Sequence, residues 1–148
     1  MSQTKVIAKS IFYNRIIFFL SIIGFFIAIY VLQSFLRGSS IICVNSGCEI
    51  VRKSSSSYPF GIPVPAFGLL GYAFLILLSF VRTTATNKNF IYGQLGIATF
   101  GILFLGWFTY TEIFVIKAIC TWCAISAVNM AIIFVLALLT ARREIFNK

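Results

Sequence analysis

The 148-residue chain contains no histidine and no aspartate, and its only acidic residues are Glu49, Glu112 and Glu144. Acid–base catalysis by a histidine–carboxylate pair and a metal site rich in carboxylates are therefore excluded. Charged residues make up 10% of the chain, whereas a soluble domain has about 25%. The reactive chemistry that remains is that of four cysteines in two pairs, Cys43 with Cys48 and Cys120 with Cys123.

The twelve basic residues outnumber the acidic ones and give the chain a net charge of +9. They lie at the ends of apolar runs rather than in one patch, so we interpret them as determinants of membrane topology and predict no nucleic-acid binding.

With a cytoplasmic N-terminus, four membrane crossings place eight of the basic residues in the cytoplasm: Lys5, Lys9, Arg15, Arg82, Lys88, Arg142, Arg143 and Lys148. The other four then lie outside: Arg37, Arg52, Lys53 and Lys117. The positive-inside rule therefore predicts that both termini are cytoplasmic. Both cysteine pairs then lie on the non-cytoplasmic side, which is oxidising in bacteria and, for eukaryotes, in the lumen of the endoplasmic reticulum. Of the two, we predict a prokaryotic cytoplasmic membrane.

Four apolar runs, at about residues 16–36, 63–82, 90–116 and 119–141, are read as helices that cross a bilayer. We predict an all-α integral membrane protein, with a single domain over residues 1–148 and a bundle of four transmembrane helices. The first run is predicted to be a retained helix rather than a signal peptide, because the following Arg37-Gly38-Ser39-Ser40 lacks a small-residue cleavage pattern.

The polar segment 37–62 is predicted to be an outer loop that carries the first cysteine pair. Residues 48–53 within it can form a short amphipathic helix on the membrane surface. Pro59, Pro63 and Pro65 then prevent regular helix and lead the chain back into the bilayer. The second pair begins the fourth apolar run, so its sulfurs are expected at a helix N-terminus, where the helix dipole favours negative charge.

Three interpretations of the four cysteines compete. In the first, the protein is not an enzyme, and structural disulfides hold an outer loop in place. In the second, four thiolates bind zinc, since Cys-x4-Cys with Cys-x2-Cys is compatible with zinc-ligand spacing. In the third, the two pairs exchange disulfides with each other through attack by a thiolate. The exchange hypothesis accounts for the two pairs, their shared side and the absence of other catalytic groups, and it needs no metal.

A dithiol relay needs an electron acceptor, and a lipid-soluble quinone is the natural one for thiols at a membrane boundary. Aromatic residues, which make up 17% of the chain, lie near the Cys-x-x-Cys motif at Trp107, Phe108, Tyr110, Phe114 and Trp122. These rings can contact the acceptor, or they can form the aromatic belt that anchors a protein at the membrane interface.

Several residues occur in the order seen in a known family: Cys43, Cys48-Glu49, Val51, Ser54, Phe60-Gly61-Ile62-Pro63-Val64, Phe67-Gly68, Tyr72, Cys120-x-Trp122-Cys123 and Asn129. In this order they resemble the vitamin K epoxide reductase family, and the resemblance extends from about Cys43 to Asn129.

The resemblance implies a four-helix bundle around a quinone pocket, which the outer loop and its short helix cap. It implies that Cys120 and Cys123 form the active-site disulfide, with Cys123 next to the quinone, and that Cys43 and Cys48 are the shuttle pair. A thioredoxin-like partner engages Cys43, and Cys48 passes electrons to Cys120. The quinone is of the ubiquinone, menaquinone or vitamin K type, and its expected contacts are Ser54, Phe60, Phe67, Phe108 and Trp122.

The sequence also departs from the family pattern. Val64 and Ala127 occupy places where the animal enzymes have an asparagine and a tyrosine that hold the vitamin K carbonyls. This favours a microbial homologue that reduces quinone over a vitamin K epoxide reductase. No thioredoxin-like domain is present in the 148 residues, so the partner is expected to be a separate protein.

A DsbB-type disulfide generator is the alternative family, but there the Cys-x-x-Cys motif lies in the first outer loop. We therefore predict a membrane thiol:quinone oxidoreductase that generates disulfides.

Overall fold

The structure is a computed structural model, and it describes residues 3–85 and 87–146. All regular secondary structure in these residues is helical, in five α-helices: α1 Gln3–Arg37, α2 Gly47–Lys53, α3 Val64–Thr84, α4 Lys88–Thr111 and α5 Thr121–Phe146. Two short 3₁₀ turns, Ser55–Ser57 and Pro59–Gly61, connect α2 to α3, and a π-helical turn, Glu112–Ile116, extends α4.

Four helices in the described residues are long and apolar enough to cross a membrane: Gln3–Arg37, Val64–Thr84, Lys88–Ile116 and Thr121–Phe146. The predicted all-α membrane protein with four transmembrane helices is confirmed. The first helix starts at Gln3 rather than near residue 16, because neither proline nor glycine interrupts the chain before Gly24. Its 35 residues are longer than the roughly 20 that cross the hydrocarbon core, so it extends beyond the core.

The four long helices form a bundle in which α1 packs against α3 and α5, and α4 packs against the same two helices. The centre of the bundle is apolar and includes Ile17, Tyr72, Leu75 and Ile133. Other large apolar side chains point outward along the helices, among them Phe19, Phe80, Phe100 and Leu103. An apolar outer surface of this kind is suited to contact with lipid rather than water.

The end of the bundle opposite the cysteines is held by a network of polar side chains from all four long helices. Arg82 of α3 donates hydrogen bonds to Ser10, Gln94 and Glu144, and its Nη2 lies 3.1 Å from Oε1 of Glu144. Gln94 in turn donates to Asn14 and to the Ser79 hydroxyl. Each of these buried polar groups has a partner, as burial away from water requires.

Nearer the cysteines, one glycine sets how closely α1 and α3 approach each other. A Cβ atom on Gly24 would lie 2.3 Å from Cε1 and Cζ of Tyr72. The Tyr72 ring therefore occupies the space that any larger residue at position 24 would need. Its hydroxyl lies 3.0 Å from Oγ of Ser126 and accepts a hydrogen bond from Asn129, both on α5.

We expect Gly24→Ala to lower the free energy of unfolding by about 1–3 kcal/mol, because the added methyl group overpacks the contact with Tyr72. Gly96→Ala is the matched control, since a Cβ atom there meets nothing within 4 Å. Both substitutions gain about 1 kcal/mol of helix propensity, so this gain cancels in the comparison. Thermal unfolding in detergent provides the measurement, and equal stability of the two variants would contradict the packing argument.

Candidate redox site

The structure brings the two cysteine pairs together at one end of the bundle. Cys43 and Cys48 form a disulfide, whereas Cys120 and Cys123 are free thiols. The Cys120 thiol points at the Cys48 sulfur, with the two Sγ atoms 3.2 Å apart. The Sγ atoms of Cys43, Cys48 and Cys120 all lie within 4.8 Å of one another. A free thiol thus lies next to a disulfide, in the arrangement that thiol–disulfide exchange needs.

The short helix α2 places Cys48 at this position. Cys48 and Val51 lie on its buried side, and the Ser57 hydroxyl from the next turn donates to the Val51 carbonyl. Gly47 lets the start of α2 approach the chain just before Cys120, because a Cβ atom on Gly47 would lie 2.2 Å from the Ile119 carbonyl oxygen. The expected helix in this part of the loop is thus present, and its glycine sets the distance between the two cysteine pairs.

A sharp change of direction between α4 and α5 places the second pair. The π-helical turn ends at Lys117, which has a left-handed backbone with a φ of 56°. The Ala118 N–H donates to the Glu112 carbonyl oxygen, with a nitrogen–oxygen distance of 3.1 Å. Cys120 then directly precedes α5, and its carbonyl accepts the Ala124 N–H. Cys120 therefore lies at the N-terminus of α5, as expected for this pair.

The environment of Cys120 favours its thiolate form. A hydrogen bond from the Cys123 thiol is the main cause, and it outweighs burial, which acts in the opposite direction. The backbone N–H groups of Cys123 and Trp122 at the start of α5 act in the same direction as the hydrogen bond. Together they lower the pKa of Cys120 to about 7. Near neutral pH a large fraction of Cys120 is therefore the nucleophilic thiolate.

Cys123 lies on the wall of an apolar cavity of about 60 Å³ inside the bundle. All four long helices contribute to the wall, which includes Ala28, Val64, Phe108, Trp122 and Met130. Polar groups come from Tyr72 and Ser126, whose hydroxyls are 3.0 Å apart. Apolar walls and two hydroxyls next to a thiol fit a quinone, which has a flat ring and two carbonyl oxygens. The cavity is smaller than the roughly 150 Å³ that holds benzene, so the walls must move apart to admit such a ring.

The predicted quinone contacts are only partly brought to this cavity. Phe108 and Trp122 line it, and Phe67 packs on Phe104, another lining residue, with ring centroids 5.4 Å apart. Ser54 and Phe60 are not in the wall. The Ser54 hydroxyl accepts the Ser56 N–H at the start of a 3₁₀ turn, and the Phe60 side chain is 99% exposed on a residue with a φ of 56°. The Ser54 hydroxyl is thus engaged within the turn after α2 and the Phe60 ring is exposed, so a contact of either residue with a quinone stays a prediction.

Three residues of the site were not predicted as site residues from the sequence. Tyr72 occurs in the resemblance, but nothing in its sequence context places its ring against the cavity. Ser126 is three residues after Cys123, almost one helical turn, and this spacing could have identified it. Glu112, which stands out in the sequence only as one of three acidic residues, is buried next to the second cysteine pair.

One comparison with known proteins identifies a family. A model of the vitamin K epoxide reductase family matches residues 15–138, which is most of the chain. No curated protein matches the chain in sequence.

The proximity of the two pairs predicts a specific cross-link. In a Cys43→Ala, Cys123→Ala background, mild oxidation should join Cys48 to Cys120 quickly, because their Sγ atoms are 3.2 Å apart. Adding Gly47→Ala should slow this step by about 100-fold, the cost of a displacement of roughly 1 Å between reacting groups. Ser46→Ala is the control, since its exposed side chain makes no capping hydrogen bond. Gel shift after thiol alkylation measures the rate, and equal rates in the two variants would rule out this role for Gly47.

The pKa of Cys120 predicts a pH dependence. Attack by the Cys120 thiolate on Cys48 releases the Cys43 thiol, which an excess of maleimide can capture. Because the pKa of Cys120 is lowered to about 7, we expect the capture rate to rise steeply below pH 7 and to level off above it. Cys123→Ala removes the main hydrogen bond, so the curve should shift to higher pH. An unchanged midpoint in Cys123→Ala would show that this hydrogen bond does not activate Cys120.

Proposed function

Because the chain belongs to the vitamin K epoxide reductase family, we propose that it is a membrane thiol:quinone oxidoreductase that generates disulfides. Family membership supports a membrane redox role that involves a quinone. The observation that carries the finer proposal is the 3.2 Å distance between the Sγ atoms of Cys48 and Cys120. This contact joins the Cys43–Cys48 pair of the outer loop to the Cys120–Cys123 pair beside the apolar cavity.

Transfer between the pairs takes place by two thiol–disulfide exchanges. With Cys43 and Cys48 reduced, the Cys48 thiolate attacks Cys120 in the Cys120–Cys123 disulfide, and Cys123 leaves as a thiolate. Cys43 then attacks Cys48, and Cys120 leaves. Two electrons and two protons move from the first pair to the second. The products are the Cys43–Cys48 disulfide and two thiols, which are the species that the structure contains.

The outer pair is suited to exchange with a protein partner at Cys43. Cys43 is partly exposed, whereas Cys48 is buried with 1% of its surface accessible. Ile42 and Val44, on either side of Cys43, are 82% and 91% exposed, and apolar side chains of this kind favour contact with another protein. A partner thiol therefore attacks Cys43 rather than Cys48. We propose that the partner is a separate thioredoxin-like thiol oxidoreductase, which delivers electrons and leaves oxidised.

The inner pair is suited to pass electrons to a quinone of the ubiquinone, menaquinone or vitamin K type. A quinone in the cavity accepts two electrons and two protons. Cys123 lies on the cavity wall, and the hydroxyls of Tyr72 and Ser126 are available to hold a carbonyl oxygen. Val64, where the animal enzymes have an asparagine, adds an apolar side chain to the wall. This favours quinone reduction over reduction of the epoxide.

The alternative interpretations of the cysteines are less well supported by the geometry. A structural disulfide has no need of two free thiols beside it, and a zinc site needs thiolates that the Cys43–Cys48 disulfide does not offer. We propose that the pairs lie on the extracytoplasmic side of a prokaryotic cytoplasmic membrane, with both termini in the cytoplasm, as the basic residues favour.

The proposal predicts unequal roles for the four cysteines. Cys43→Ala and Cys48→Ala should abolish oxidation of a reduced thioredoxin-like protein, yet still allow menadione to oxidise the Cys120–Cys123 pair in a single turnover. Cys120→Ala and Cys123→Ala should abolish both reactions. Absorbance of the quinone and alkylation of free thiols measure the two steps.

The control is Ser55→Ala, an exposed substitution in the same loop, which should leave both reactions unchanged. If Cys43→Ala and Cys48→Ala both kept full activity with the protein partner, the relay would be wrong. If menadione did not oxidise the Cys120–Cys123 pair of the wild type, the proposal that a quinone accepts the electrons would be wrong.

A further inference from the structure

The buried carboxyl group of Glu112 is not used by the relay described above, and it lies against the reacting sulfurs. We propose that Glu112 is the acid–base group of the site, which gives a proton to Cys123 when the Cys120–Cys123 disulfide opens and takes it back when the disulfide closes. This inference rests on the proposed function, because it concerns the same pair of cysteines.

The position of Glu112 fits this role. It directly follows α4, in the first residue of the π-helical turn, and only 1% of its surface is exposed. The Cys123 thiol and the Cys120 backbone N–H are close enough to interact with its carboxyl group. Its Oε1 atom has no hydrogen-bond partner among the described residues. One buried oxygen is therefore left without a partner beside a thiol.

A purely structural role does not account for a carboxyl group at this place. Within residues 3–85 and 87–146, Glu49 pairs with Arg52 and Glu144 pairs with Arg82, whereas Glu112 has no ion pair. A buried acid without a cation or a full set of hydrogen bonds is costly. Ionisable side chains inside membrane proteins are usually functional for this reason.

The proton balance of the reaction needs such a group. When the Cys48 thiolate breaks the Cys120–Cys123 disulfide, Cys123 leaves with a negative charge inside an apolar environment. The carboxylic acid form of Glu112 donates its proton to that sulfur, which becomes a thiol while Glu112 becomes a carboxylate. When the pair is oxidised again, the carboxylate accepts the Cys123 proton as the new sulfur–sulfur bond forms. The two electrons of the pair go to the quinone. The Cys123 proton stays on Glu112 for the next cycle, and the quinol takes up the Cys120 proton and one proton from water.

Within the described residues, no other carboxyl group lies beside this cysteine pair, and the Tyr72 hydroxyl on the cavity wall is engaged with Ser126 and Asn129. The titratable groups that face Glu112 are Cys120 and Cys123. From α2, Cys48 is held in the disulfide, and Glu49 is paired with Arg52. Lys117, at the end of the π-helical turn, is exposed. The chain contains no histidine.

The kinetic test compares Glu112→Gln with Glu144→Gln in the full-length protein in detergent. Glu112→Gln keeps the size of the side chain and its hydrogen bonding but cannot release a proton. We expect single-turnover oxidation of the Cys120–Cys123 pair by menadione to slow by about 100-fold, the usual cost of losing a general acid–base group. In Glu112→Gln, the rate should also no longer show the pH dependence that comes from ionisation of the Glu112 carboxyl group. Glu144→Gln, at the opposite end of the bundle, should react like the wild type.

A second measurement follows the protonation of the Glu112 carboxyl group directly and does not depend on the reaction rate. Infrared difference spectra between the oxidised and reduced protein should show a carboxylic acid band in the wild type and in Glu144→Gln, but not in Glu112→Gln. In Glu112→Asp, which keeps the carboxyl group on a shorter side chain, the band should shift rather than vanish. This variant keeps the test valid if Glu112→Gln does not fold.

The outcomes separate the two proposals. A wild-type protein that menadione does not oxidise would contradict the proposed function. A wild type that reacts, combined with a Glu112→Gln variant that reacts equally fast and keeps the infrared band, would overturn the role of Glu112 alone.

Discussion

The approach of the Cys120 thiol to the Cys48 sulfur is the constraint on which the rest of this end of the molecule depends. The two residues come from segments 72 positions apart, and three local features are needed to bring them together. Gly47 removes the side chain that would hold α2 away from the Ile119 carbonyl. The left-handed Lys117 turns the chain back after the π-helical turn, and α5 begins directly after Cys120. A change in any of these would alter a distance that must stay close to a sulfur–sulfur contact for exchange to occur.

The two ends of the bundle differ in whether their buried polar groups have hydrogen-bond partners. At the end with Arg82 and Glu144, every polar group of the buried network is paired, and the network joins all four long helices. At the cysteine end the cavity wall is mostly apolar, and two buried carboxyl oxygens, one on Glu112 and one on Glu49, have no hydrogen-bond partner among the described residues. Full pairing stabilises a membrane bundle, whereas an unpaired acid beside thiols destabilises it locally. The stable end can therefore offset the cost of a chemically active one.

The fold predicted from the sequence is confirmed, whereas the reactive role of the four cysteines stays a prediction and the detailed contacts of the site could not be predicted. Long apolar runs and the distribution of basic residues are direct consequences of a bilayer, so four helices follow from them without tertiary information. The contacts of Ser54 and Phe60 depend on turn geometry after α2, which the serine and proline content of that segment does not determine. Tyr72 reaches the cavity only because Gly24, on a different helix, leaves room for its ring. Glu112 could not be assigned a role from the sequence, because the chemistry of a carboxyl group depends on which atoms surround it in the fold.

The Trp122 side chain connects the surroundings of the two cysteine pairs. Its indole N–H donates to the carbonyl oxygen of Ile42, the residue before Cys43, and the nitrogen–oxygen distance is 2.9 Å. The same ring packs edge to face on Tyr30 of α1 and lines the cavity next to Cys123. One side chain between Cys120 and Cys123 thus contacts both the loop that carries Cys43 and the cavity wall that includes Cys123. Because a rigid ring with a donor at one edge can hold both surfaces at once, the spacing between Cys43 and the cavity depends on packing within the bundle, and not only on the disulfide.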